Sequence, residues 1–166
     1  AAGETEPNDP HAMSVATVDG NGLPDVRILL LKGLDERGFV FYTNEQSAKG
    51  QQLREQGRAA LCFHWKSIAR QIRIEGEANQ VTDADADAYF ASRPKESQIG
   101  AWASRQSQEL ENRTLLESRF QRETSNYETS DVPRPPFWSG FLLKPTRYEF
   151  WEKRPHRLHN RQLFSL

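Results

Sequence analysis

The chain has 166 residues and a mass of 19.1 kDa, with 22 Lys+Arg against 23 Asp+Glu for a formal charge of −1. That length suits a single domain over residues 1–166, able to bury about two thirds of its unfolded surface. The near-zero charge argues against nucleic acid as the main partner, no apolar run is long enough for a membrane span, and a lone Cys62 excludes an internal disulfide or a cysteine metal cluster.

In chain order, the small and β-branched run 12–19 predicts a strand that ends at Asp19-Gly20-Asn21-Gly22, a hairpin signal, with the return strand over 24–32. A turn at Asp35-Glu36-Arg37-Gly38 leads to a strand over 39–43. Ser47 then caps a short helix that Gly57 ends near Gln56. Strands are expected over 59–65 and 70–80. Thr82 caps a helix over 83–92, with Asp83 and Asp85 in its first turn, and Pro94 stops it. Helices over 96–104 and 108–126 precede the Pro-rich connector 131–136. Strands near 140–143, 147–151 and 157–164 close the chain. Successive short strands with helices inserted later predict an α+β protein, mainly β, built on an antiparallel barrel or sandwich. The absence of GxGxxG, GxxxxGK[ST] and GxSxG argues against Rossmann, P-loop and serine-hydrolase sites.

Charge is unevenly spread. Residues 1–46 hold 8 acids and 3 bases, whereas residues 132–166 hold 2 acids and 7 bases. The basic tail suits either a local anion site or a solvated face. The chain opens without Met, without a basic and apolar leader, and stops inside an expected strand, so the natural protein is expected to extend beyond both ends. Cysteine usage suits the cytosol.

Four stretches could carry chemistry. On an extended strand Arg27, Leu29 and Leu31 share one face and Ile28, Leu30 and Lys32 the other. Each face then puts a cation at the edge of an apolar patch, suited to an anionic ring ligand or to an ordinary core strand with snorkelling ends. In YTNEQSAKG (42–50), Thr43, Ser47, Lys49 and the helix N-terminal amides form a candidate phosphate site, strengthened if Arg27 lies on a neighbouring strand. Tyr89 and Arg93 are spaced i and i+4 with Ser97 just beyond, all donors to a phosphate, or else a capped surface helix end. In RLHNR (157–161), a strand would stack Arg157, His159 and Arg161 on one face, which calls for an anion among them unless solvent serves.

Taken with RQIRIEG (70–76), the stretch YFASRPKESQIGAWAS-x-QS (89–107), FWSGF (137–141) and EFW (149–151), these residues resemble the pyridoxine/pyridoxamine 5′-phosphate oxidase family over about residues 9–164. The resemblance implies an FMN-binding split β-barrel with peripheral helices. It also implies a homodimer with FMN at the subunit interface, and a cytoplasmic flavoprotein. The implied reaction is oxidation of a phosphorylated pyridine at C4′, with hydride passing to FMN and O2 reduced to H2O2, giving pyridoxal 5′-phosphate. Carried over by position, FMN contacts fall on Arg27, Ile28, Leu29, Leu30, Leu31, Lys32, Tyr42, Thr43, Lys49, Gln71, Gln106, Ser107, Trp151 and Arg161. Substrate contacts fall on Lys32, Tyr89, Arg93, Ser97, Arg157 and His159, with Arg157 and His159 as the catalytic pair. Arg157 carries the greater orienting role. Ala48 stands where many members have Arg, and Asn160 where Asp is common. The family's N-terminal arm and its final strand with an Arg-Leu-x-Pro tail are not in this sequence.

Overall fold

The computed structural model describes residues 2–7 and 9–166. Its strands are β1 (Ala12–Val18), β2 (Pro24–Leu30), β3 (Gly33–Asp35), β4 (Gly38–Asn44), β5 (Arg58–Trp65), β6 (Arg70–Gln80), β7 (Trp138–Glu152) and β8 (Asn160–Ser165). Its helices are α1 (Ala2–Thr5), α2 (Ala48–Gln56), α3 (Asp83–Ala91), α4 (Lys95–Ala103) and α5 (Arg113–Asn126), with a short 3-10 turn at Pro155–Arg157. The strands form one sheet in the order β2-β1-β5-β6-β7-β4-β3, and β8 pairs with β7. The β1–β2, β1–β5, β3–β4, β5–β6 and β7–β8 pairings are antiparallel. No helix among the described residues is long and apolar enough to cross a membrane.

The chain divides into two compact units. The first comprises residues 1–41, 52–79 and 141–166 and holds most of the sheet. Alternation builds its core: Met13 and Val15 on β1 and Leu61 and Phe63 on β5 point inward with Phe41, Ile74, Phe141 and Leu143. The first hairpin forms as its sequence dictates. The Asp19 carboxylate accepts the Asn21 and Leu23 amides, and Gly22 supplies the left-handed residue at φ 85°.

The second unit comprises residues 42–51 and 80–140 and is mostly helical. Phe90, Ile99, Val132 and Trp138 form its core. Thr82 caps α3 by accepting the Asp85 amide, and Asn112 caps α5 through the Leu115 amide. That cap starts α5 at Arg113, later than the expected 108. Pro94 does stop α3, and the chain resumes helix at once in α4.

Three expectations need correction. The two strands expected over 140–151 are one continuous 15-residue strand, β7, which runs through Pro145. Gly76 makes this passage feasible, because a Cβ there would lie 2.1 Å from the Lys144 carbonyl oxygen and 2.9 Å from the Pro145 Cα. Nor is 157–164 one strand: Arg157 belongs to the 3-10 turn, His159 precedes β8 and Arg161 lies on it, so the three do not share a strand face. Lastly, β2 stands at one end of the strand order beside β1, so Arg27 is not on a neighbour of β4.

The close approach at Gly76 is testable. Gly76→Ala is expected to destabilise by about 1–3 kcal/mol, since backbone rather than a pliable side chain must yield. Thermal melts should fall by about 2–4 °C for each kcal/mol. An unchanged melting temperature would show that β6 and β7 are free to part.

Candidate functional site

In the second unit, β4 delivers Tyr42 and Thr43 to the start of α2. Ser47 is fully buried there; its hydroxyl donates to the Asn44 carbonyl at 2.6 Å and accepts the Gly50 amide at 3.3 Å. Gly50 is required by contact, since a Cβ would lie 2.6 Å from the Asn44 and Glu45 carbonyl oxygens. This tight junction turns the Lys49 side chain inward, where only 6% of the residue is exposed. Its Nζ donates to Gln106 Oε1 at 2.9 Å and to Ser47 Oγ at 3.3 Å, and Thr43 Oγ1 lies 3.4 Å from the same Gln106 oxygen. Thr43, Lys49 and Gln106 are thus brought together, as donors suited to phosphate oxygens. Ser107 follows in a left-handed conformation, φ 63°.

Next to it in the same unit is an aromatic stack. Tyr42 lies parallel to Tyr89, ring centroids 4.0 Å apart, and to Trp138 at 5.3 Å, while Phe90 meets Trp138 edge-on. The Arg93 guanidinium sits over the Trp138 ring at 4.9 Å from its centroid. Arg93 lies in the turn after α3 rather than on its face, and its amide donates to the Phe90 carbonyl. Gln98 fixes this turn by donating to the Phe90 and Ala91 carbonyls. Arg134 holds the other wall, bound to Asp83, Asp87 and the Trp138 carbonyl. Arg93 Nη1 is buried and makes no hydrogen bond among the described residues. Burial lowers the Arg93 pKa, with Tyr89 acting the other way. A half-buried guanidinium whose buried nitrogen has a spare donor asks for an anion. Ser97, half-buried, opens the first turn of α4.

In the first unit, Arg27 is drawn to β1. Its guanidinium donates to Thr17 Oγ1 at 2.6 Å, to the Val15 carbonyl and to Asp25. Leu29 and Leu31 pack on the core, while Ile28 is 63% exposed and Lys32 is exposed. The alternation expected for 27–32 therefore holds, but the outer apolar face is open. Gln71 and Trp151 come together in a groove of about 510 Å³ that Trp65, Ile72, Phe150 and Asn160 also line. A groove walled by two indoles suits a planar ring. His159 packs on Trp151, centroids 4.7 Å apart, and Arg161, paired with Trp151 in register, lies 3.6 Å from Glu149. Three strands separate β2 from β7, so Arg27 to Leu30 lie well away in strand order from Trp151. Among the described residues no cluster of His, Cys, Asp or Glu is placed to hold a metal ion.

Sequence reasoning assigns no role to Trp138, the platform under Arg93, or to Trp65 and Phe150 in the groove. The one signal for Trp138 is its place in FWSGF.

A profile described as pyridoxamine 5′-phosphate oxidase matches residues 2–127, and one described as the pyridoxine 5′-phosphate oxidase C-terminal dimerisation region matches 138–166. The chain belongs to the pyridoxine/pyridoxamine 5′-phosphate oxidase family. The Azorhizobium caulinodans pyridoxine/pyridoxamine 5′-phosphate oxidase is 59% identical over 164 residues, 99% of this chain and 77% of that one. The Brucella canis protein of the same description is 56% identical, covering 99% of this chain and 81% of its own. Among solved structures, PhzG from Burkholderia lata 383, crystallised with tetrahydrophenazine-1-carboxylic acid, superposes with a TM-score of 0.89 at 29% identity, over 96% of this chain and 83% of that one. A pyridoxamine 5′-phosphate oxidase-related, FMN-binding protein from Nostoc punctiforme gives 0.75 at 20% identity, over 94% and 81%, and supports the fold. The fold is thus the antiparallel split barrel with helices that this oxidoreductase family shares.

Proposed function

We propose that this chain is an FMN-dependent oxidase that converts pyridoxine 5′-phosphate or pyridoxamine 5′-phosphate to pyridoxal 5′-phosphate, with O2 as acceptor and H2O2 as product, in the biosynthesis and salvage of pyridoxal phosphate. The observation that carries the reading is the half-buried Arg93 guanidinium, stacked on Trp138 with its buried Nη1 a donor to spare. With Tyr89 and Ser97 of the same unit it would hold the substrate phosphate and so convert binding energy into orientation of the ring.

The residues present fit FMN. In the second unit Thr43, Lys49, Gln106 and Ser107 suit its phosphate, with Tyr42 flanking them; in the first unit, taken by itself, Gln71 and Trp151 suit a planar ring, and Arg27 to Lys32 and Arg161 are further candidate contacts. When bound, FMN supplies a two-electron acceptor that O2 can reoxidise. The protein's own work is to bind and align. Arg157 and His159 would lie against the pyridine and its 4′ substituent, Arg157 orienting the carbon that loses hydride. A second copy of the chain would complete the assembly, in keeping with the dimerisation-region match and the exposed Ile28, Leu163 and Phe164. A single half-buried cysteine agrees with a cytosolic site of action.

A phenazine-type substrate is the competing reading, favoured by the likeness to PhzG. The higher identity to the named pyridoxine/pyridoxamine 5′-phosphate oxidases weighs against it. The deciding experiment is an anaerobic titration of FMN-loaded protein with pyridoxine 5′-phosphate, followed at the flavin's visible absorbance. Bleaching that returns in air is expected. Tight FMN binding without bleaching by either this substrate or pyridoxamine 5′-phosphate would overturn the proposal.

A further inference from the structure

The segment between β7 and β8 folds back in an unusual way. His156 and Arg157, neither of them glycine, are both left-handed, at φ 55° and 62°. Two sets of contacts hold the turn. The Leu158 amide donates to the Pro155 carbonyl, and the Lys153 amide to the Ala69 carbonyl. Arg154 supplies the second set. Its Nη2 donates to Glu152 Oε2 at 2.7 Å, and the Asn160 amide is best satisfied with its oxygen toward Arg154, accepting from Nε at 3.0 Å and Nη2 at 3.1 Å. The backbone N–H of Arg154 donates to Nδ1 of His159 at 3.1 Å.

That last bond has a chemical consequence. A neutral imidazole carries one proton on its two nitrogens, so a ring whose Nδ1 accepts must carry the proton on Nε2. We propose that Arg154 is a positioning residue: its backbone N–H locks His159 as the Nε2–H tautomer, so that His159 offers the substrate a hydrogen-bond donor rather than a base, and its side chain braces the turn through Glu152 and Asn160. This rests on the oxidase reading given above. The acceptor is an oxygen or nitrogen substituent on the pyridine ring. Asn160 gives Arg154 an acceptor without the charge of the aspartate common there.

Long-range 1H–15N correlation on histidine-labelled, FMN-loaded protein at mildly alkaline pH reads the tautomer directly, with His159 identified by its loss in His159→Gln. A bare Nδ1 and a protonated Nε2 are expected; a proton on Nδ1 would overturn the lock. Anaerobic flavin reduction tests the role. Gln places an N–H donor near the position of Nε2 and should stay within about fivefold of the parent, whereas Asn cannot reach and should lose about tenfold or more. Equal, severe losses for both would point to base catalysis and overturn the donor role. Arg154→Ala should mix the tautomers and slow reduction several-fold, with Arg154→Lys recovering part of the rate. Alanine keeps the backbone N–H, so an Arg154→Ala protein with unaltered spectrum and rate would overturn the role of the side-chain brace. Absence of reduction in the parent protein would instead count against the oxidase reading, while the spectrum would still decide the tautomer.

Discussion

Replacing Arg93 with alanine is expected to lower kcat/KM for pyridoxine 5′-phosphate by about 10–150-fold, the range for a lost hydrogen bond to a charged group. Most of the loss should fall in KM. The phosphate is remote from the carbon that is oxidised, so its contacts serve the bound substrate and the transition state almost equally. Arg93→Lys should recover part of the binding and no more. Lysine keeps the charge but not the planar fork or the stacking on Trp138. Burial lowers the Arg93 pKa, but arginine stays protonated in proteins, so no loss of affinity through Arg93 is expected as pH rises from 7 to 9. Steady-state kinetics with a thermal melt as the folding control checks this. A well-folded Arg93→Ala protein with parental KM would show that the phosphate sits elsewhere.

Much of this arrangement is legible in the amino-acid sequence, for local reasons. The first hairpin rests on Asp19 and Gly22, whose roles are set by neighbouring amides. The helix α3 rests on Thr82, and β6 matches its expected span of 70–80. Ser47 and Lys49 read as a helix start, and they form one. What local reasoning misses depends on partners distant in sequence. Pro145 signals a break, yet β7 continues because Gly76 on another strand leaves room for it. RLHNR alternates like a strand, yet Pro155 and two left-handed residues turn it into a corner. Tyr89 and Arg93 have helical spacing, yet α3 ends between them, and Trp138, some 45 residues further on, is what places Arg93. The motifs identify the chemical groups; the tertiary contacts determine which face each group presents.

Lys49 is the position at which cofactor binding is expected to respond most. Its stem is buried at the β4–α2 junction and its ammonium donates to Gln106 and Ser47, all within one compact unit. Lys49→Met keeps the stem and removes the charge, so packing is preserved while a phosphate loses its cation. The FMN dissociation constant should rise by about 10–150-fold, measured by quenching of flavin fluorescence. Gln106→Leu should cost less, since it removes a neutral partner that orients the ammonium. Because the two side chains are in contact, their effects should not add: the double variant should bind FMN only slightly more weakly than Lys49→Met alone. Raising the salt concentration should weaken FMN binding by the parent more than by Lys49→Met, as screening acts on a charge that the variant lacks. Full additivity would mean that Gln106 contacts the cofactor independently of Lys49. An unchanged dissociation constant in Lys49→Met would move the phosphate site away from the start of α2 and leave the buried ammonium as a structural tie between β4, α2 and the segment after α4.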